Sequence, residues 1–263
     1  MEENKKFIIT IVILVFIILG LGGFIYYDKF YKTEKEEKTI TTIDNVDIDL
    51  NSFYLVGDTL EKFDKAFNDK NSTYFGYIYK DRLLASKFDQ GAALFAALYD
   101  NLVGTNTPQL LVGGDVKKNF ETIFGKNLTY KADNLNAGQY YNILYDAVTD
   151  KYTYIAPTVR EVYSPTFMEI NQSTSLTEDS IIVKRKVFYV EYLNNASGTD
   201  ITEAAIFTSS DKKTQVATIP LRNGILNKKE VISKYSSKLN TYKYTFKQAS
   251  DGNYTFYSIE KEK

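Results

Sequence analysis

The side chains best suited to holding a cation come early, where Asp44, Asp47, Asp49 and Asn51 interleave with Val46, Ile48 and Leu50. Asp58 stands twelfth when counting starts at Asp47, so oxygen donors recur much as they do in a calcium-binding loop. That loop needs glycine at its sixth position and glutamate at its twelfth, and Ser52 and Asp58 occupy them. Ile48 and Leu50 read as inward-facing strand residues, so a polar strand face is expected here instead of a metal site. A second group, Glu161, Glu169, Glu178, Asp179 and Glu191, could supply the two carboxylates of glycosidic chemistry, which stand roughly 5–10 Å apart. Their spacing singles out no pair, and the chain has no tryptophan, the commonest stacking platform for a sugar.

Three further patterns carry less specific chemistry. Lys184-Arg185-Lys186 sits in a period-two stretch that puts both lysines on one strand face and the arginine on the other. It could bind phosphate or anionic lipid; the expected role is a solvated guard on an edge strand. Asn71, Asn127, Asn195 and Asn253 each head an Asn-X-Ser/Thr triplet and are expected to be chance turns in a chain rich in these residues. The 22 tyrosines could form a binding surface, but tyrosine also favours strands, so sheet coverage is the expected role.

What is missing excludes more than these patterns propose. Cysteine and histidine are both absent, which removes disulfides, thiolate nucleophiles, ordinary zinc sites and every triad built on imidazole. Any acid–base chemistry at neutral pH falls to Asp, Glu, Lys or Tyr with shifted acidity. The net charge is -1 and the soluble part has no long basic tract, which argues against a nucleic-acid partner. No catalytic, cofactor-binding or metal-binding residue is therefore nominated, and no cofactor is expected.

The elements that must position these groups show in the periodicity. Asp58 or Thr59 is expected to cap a helix through Leu60, Phe63 and Phe67, with a strand at Tyr74–Tyr79 after it. Asp89-Gln90-Gly91 introduces an alanine-rich helix that Gly104 and Pro108 break, and Asp115 caps a helix that ends at Gly125. From Gln139 the period becomes two. Strands are expected at 140–147 and 152–156, at 166–171 and 181–193, and at 204–209 and 214–221. A helix at 229–235 precedes a closing hairpin whose Tyr242, Tyr244 and Phe246 share a face and whose turn is Asp251-Gly252-Asn253. Helices gathered before hairpin-linked strands predict an α+β fold with helices packed on an antiparallel sheet.

Ahead of all this, Phe7 to Tyr27 contain no charged side chain, and about 20 residues at 1.5 Å rise span a hydrocarbon core of roughly 30 Å. The expected organisation is a short tail over 1–6, a transmembrane helix over 7–27 and a charged stalk over 28–42. An α+β domain follows over 43–263, helix-richer to 137 and strand-richer from 138. Gly20-Leu21-Gly22 is a poor cleavage site, a lipid-bearing cysteine is lacking, and Lys6 and Ile11 replace the glycine and glutamate of a pilin stem. Lys29, Lys32, Lys35 and Lys38 outnumber Lys5 and Lys6, which by basic-residue count favours a cytoplasmic domain. They are interleaved with Asp28, Glu34, Glu36 and Glu37, and long domains are often translocated behind a signal anchor. The extracytoplasmic orientation is the expectation.

Asp115 to Tyr130, and Tyr242 to Lys247 with Asp251-Gly252-Asn253-Tyr254, carry a resemblance. They resemble segments of uncharacterised, N-terminally membrane-anchored extracytoplasmic proteins of low-GC Gram-positive bacteria and mollicute relatives. The resemblance implies location and architecture, and brings no activity or binding residue. The function expected is a non-catalytic, single-pass protein of the cell membrane that contacts another protein or an envelope polymer. The alternatives are a carboxylate-dependent envelope hydrolase and a cytoplasm-facing accessory subunit of a membrane complex.

Overall fold

Apolar side chains at helical spacing build the helices that cover the core, and period-two stretches build most of the strands. The structure, a computed structural model, describes residues 42–43, 53–102, 108–155, 164–194 and 200–263, all within the unit Thr41–Lys263. In chain order its elements are β1 (Thr42–Ile43), α1 (Tyr54–Phe67), β2 (Arg82–Leu84), α2 (Gln90–Leu98), β3 (Pro108–Val112) and α3 (Gly113–Phe124). Then come β4 (Leu135–Asn136), β5 (Asn142–Asp146), β6 (Lys151–Ile155), β7 (Thr166–Leu176), β8 (Ser180–Asn194) and β9 (Ile201–Phe207). The last are β10 (Gln215–Pro220), α4 (Lys228–Tyr235), β11 (Asn240–Gln248) and β12 (Tyr254–Lys261). Segment 7–27, Asp44, Asp47, Asp49, Asn51, Gly104, Glu161 and Asn195 lie outside the described residues. Among the described residues no helix is long and apolar enough to cross a membrane.

The fold is α+β, and every strand pairing among the described residues is antiparallel. The larger sheet is organised by β8. β7 pairs along one side of it, from Thr166 opposite Val190 to Leu176 opposite Ile181. On the other side β11 takes the first half of β8 and β9 takes the second, so the sheet forks there. One branch continues through β12 to β2 and the other through β10, while β1 borders β7. The smaller sheet runs in the order β3-β6-β5-β4.

One face of the larger sheet carries Val183, Val187, Tyr244, Phe246 and Phe256 into a core capped by α1, α2 and α3. The opposite face carries Phe188, Val190 and Ile206 under α4, whose Val231 is buried against them. α1 buries Val56, Leu60, Phe63 and Phe67, a stripe of one residue per turn. The Phe63 ring lies 5.0 Å from Phe256, 5.5 Å from Phe67, 5.9 Å from Phe88 and 6.2 Å from Phe124, at the centre of an aromatic core that Phe88 also joins. α2 is buried from Ala92 through Leu98; its N-cap Asp89 accepts from the Ala92 N–H at 2.9 Å, as its sequence predicts.

Three expectations need correction. α1 starts at Tyr54, so Asp58 is not a cap; its carboxylate accepts from Lys62 one turn later. Val56 already belongs to the buried stripe, and burying that extra turn carries the helix back past the polar residues. Tyr74–Tyr79 is a run of turns, with Phe75, Tyr77 and Tyr79 N–H groups donating to carbonyls three residues earlier. Gly76 at φ +68° breaks the extended run, and a Cβ there would stand 2.8 Å from the Phe167 ring. Asp115 lies in the first turn of α3 and caps nothing; the chain passes straight from β3 into the helix through extended Val112. There its charge still complements the helix N-terminus.

Candidate functional site

Asp64 on α1 and Asn68, the residue that caps its C-terminus, lie one turn apart and both reach down to the sheet. Glu169 on β7 stands opposite Val187, and Arg185 on β8 stands opposite Asn171, so all four groups meet between the helix and the sheet. Arg185 donates from its two terminal nitrogens to the two Asp64 oxygens, at 2.6 and 2.7 Å, a forked pair. Asn68 donates from Nδ2 to the Glu169 Oε1 at 2.9 Å, and Tyr79 donates its hydroxyl to the Asn68 Oδ1 at 3.2 Å. The Arg185 guanidinium also lies 5.5 Å from the Tyr244 ring centre.

Burial dominates the electrostatics. Glu169 is only 8 % exposed, and burial, with Asp64 adding like-charge repulsion, pushes its carboxyl up to about 8. Arg185 is 6 % exposed; burial opposes its charge, but the Asp64 carboxylate outweighs this and raises its pKa. Burial likewise holds the Tyr244 hydroxyl well above its ordinary range. Thr59 Oγ1, Asn171 Oδ1, Thr174 Oγ1, Arg185 Nε and Tyr244 Oη are buried without a hydrogen-bond partner. They come from the same elements, α1, β7, β8 and β11, as the charged groups.

A carboxyl of raised pKa beside a second carboxylate is an arrangement that acid–base catalysis uses. Here the polar groups that meet them come from α1, the sheet and the turn that follows α1. A cleft of about 330 Å³ is lined by Phe53 to Val56 and by Gly252 to Tyr254, and one of about 40 Å³ by Leu84, Ala85, Ser86, Asn127 and Tyr257. Neither touches Glu169 or Asp64. The four groups work as a polar tie between α1 and the sheet.

The carboxylates named from sequence that fall among the described residues do not converge. Glu191 lies four residues beyond Val187 on β8 and pairs with Lys212 at 2.9 Å. Glu178 and Asp179 occupy the turn at the other end of the β7–β8 hairpin, where Asp179 accepts from the Ser180 hydroxyl. The carboxylate that faces Glu169 is Asp64, which sequence reasoning did not name; its only local signal is a charge four residues after buried Leu60, three before buried Phe67 and next to Phe63.

Lys184-Arg185-Lys186 is not an edge guard. β8 is paired on both sides, Arg185 is buried against Asp64, and Lys186 donates to the Thr241 hydroxyl at 2.8 Å. Burial lowers the Lys186 pKa, and Lys184 pairs with Glu262 at 2.7 Å, which leaves no concentrated basic patch. Asn71 and Asn253 sit in turns closed by Asp69 and Asp251, whereas Asn127 donates to Thr255 and to the Phe256 carbonyl. Tyrosine belongs largely to the core: Tyr99, Tyr141, Tyr152, Tyr154, Tyr189, Tyr242 and Tyr244 are buried. Tyr99 and Tyr141 both donate to Asp69, tying α2 to the smaller sheet.

An exposed apolar surface lies on that smaller sheet. Its inner face buries Ile143, Tyr152 and Tyr154, and register puts Leu110, Thr153 and Leu144 in one row on the outer face. Leu110 is 59 %, Val112 51 %, Leu144 54 % and Val148 94 % exposed. Lys151 and Asp146 form the next row beside Val112, so the patch has one charge of each sign at its rim. No protein-family model matches this chain, and no curated protein or solved structure matches it to significance. The residues themselves carry the functional reading.

Proposed function

We propose that the chain is a single-pass protein of the cell membrane, anchored by residues 7–27, whose extracytoplasmic α+β domain acts by contacting a protein partner and not by catalysis. The observation that supports it is the outer face of the β3–β6–β5 sheet. Leu110, Val112 and Leu144 are left half exposed or more on that face, and exposed aliphatic side chains grouped on one surface are characteristic of a contact site. Leucine and valine suit apolar side chains of a protein better than the hydroxyl-rich surface of a glycan. The hydrolase reading has only the raised pKa of Glu169, and that group is buried beneath α1 with its neighbouring carboxylate held by Arg185.

A photoreactive amino acid placed at Leu144, and as a control at exposed Thr202, tests the reading in living cells. Leu144 is expected to give a discrete heavier adduct that disappears when Leu110→Lys is added; Thr202 is expected to give none. An adduct of twice the chain's mass makes the partner a second copy and still supports contact. No adduct from Leu144, or the same adduct from Thr202, overturns the proposal. Leu110→Lys is expected to change stability by no more than about 0.5 kcal/mol, because the side chain is exposed.

A further inference from the structure

We infer that Glu169 is a proton-operated latch: its neutral form holds the last turn of α1 on the sheet, and its ionised form releases that turn. The charges under the helix do not balance. Arg185 is the one guanidinium between two carboxylates, and both its terminal nitrogens already go to Asp64. Glu169 is left with the neutral Asn68 amide as its donor. The groups that face it are Asp64 and Asn68 from α1, Arg185 from β8, Tyr244 from β11 and Lys228 from the start of α4. Tyr244 stays neutral, and the attraction from Lys228, which favours the ionised form, is weakened because that lysine is exposed to screening water. With Glu169 protonated the cluster is one cation and one anion. With it ionised, a second anion stands beside Asp64, itself largely buried and without a cation of its own.

The neutral form has a further local fit. A protonated carboxyl brings a donor to the face on which the Asn171 Oδ1, two residues along β7, is buried without one. The release acts where α1 hands over to the turn region. Asn68 bonds both Glu169 and Tyr79, and the Gly76 N–H donates to the Phe67 carbonyl at 2.7 Å. The last turn of α1 and residues 68–79 are therefore expected to loosen together, while α3 stays put. The sign follows from proton binding. The folded chain keeps the Glu169 proton up to about pH 8, and the unfolded chain loses it near the ordinary value of 4.5. The folded form thus holds the extra proton between those limits, and stability falls as pH rises through them. The physiological use of such a latch rests on the extracytoplasmic reading, since a domain outside the membrane meets pH changes that the cytoplasm buffers.

The test uses the full chain in detergent micelles. The Glu169 side-chain carboxyl carbon is followed by NMR from pH 4 to pH 10, together with amides of α1 and α3. The expected midpoint is above pH 7, more than two pH units above an ordinary glutamate. The amides of Ala66, Phe67 and Asn68 should shift with that same midpoint, those of α3 should not, and Glu169→Gln should abolish the transition. A carboxyl midpoint below pH 6, or α1 amides that ignore the Glu169 midpoint, overturns the latch. The wild-type titration decides this even if the glutamine variant does not fold. It needs no membrane orientation or partner, so it fails or succeeds separately from the contact reading.

Discussion

At Arg185 a buried guanidinium is tied to a carboxylate 121 residues earlier in the chain, and the consequences are set by what either group does without the other. Asp64→Asn leaves the arginine charged, buried and without its forked partner. Removing one member of such a pair is expected to cost about 3–5 kcal/mol, read as a lower urea midpoint at constant slope. In the same variant Arg185 is free to turn to Glu169, so the glutamate should titrate at lower pH than in the wild type. Strand parity was enough to separate Arg185 from its neighbouring lysines and put it on the opposite face. It could not supply Asp64, because no local pattern marks which helix a strand residue will meet. Glu169 appeared in the sequence as one acidic residue among five. Its distinction is burial, and burial is created by α1 lying over it.

Elements show the same division between local and distant causes. α3 was legible because Val116, Phe120, Ile123 and Phe124 make a helical stripe that Gly125 ends, and all four are buried. The closing hairpin, with Tyr242, Tyr244 and Phe246 on one face, was legible from its period and turn. The strand expected at Tyr74–Tyr79 failed because aromatic content mimics strand propensity while Gly76 and its carbonyl-to-amide turns decide the backbone. Gly125 offers a direct test of an element boundary. Its φ is +53°, and a Cβ there would stand 2.8 Å from the Thr255 Cγ2 on β12. Gly125→Ala is expected to destabilise by about 1–2 kcal/mol through backbone strain and this clash. Adding Thr255→Ser removes the clashing methyl and should recover part of the loss but not all, because the φ strain remains. Full recovery in thermal unfolding, or no recovery, would assign the effect to one cause alone.

For the whole molecule, the sequence conveyed an α+β architecture with an antiparallel sheet, since hairpins with short turns admit little else. It did not convey the fork at β8, where one strand serves β11 with its first half and β9 with its second. That arrangement requires β8 to pair with β11, a segment far along the chain, on which local periodicity is silent. Nor did it separate the small sheet, whose outer row of Leu110, Thr153 and Leu144 forms only when β3, distant in sequence, joins the β5–β6 hairpin. The proposal that this domain works outside the membrane, held by the apolar segment Phe7 to Tyr27, is the claim on which the others depend for meaning. The chain has no native cysteine, and Ser250 is exposed in the turn that joins β11 to β12. Ser250→Cys in intact cells treated with a membrane-impermeant maleimide therefore reports topology without background. Labelling before lysis is the result expected; labelling that appears only after lysis would contradict an extracytoplasmic domain.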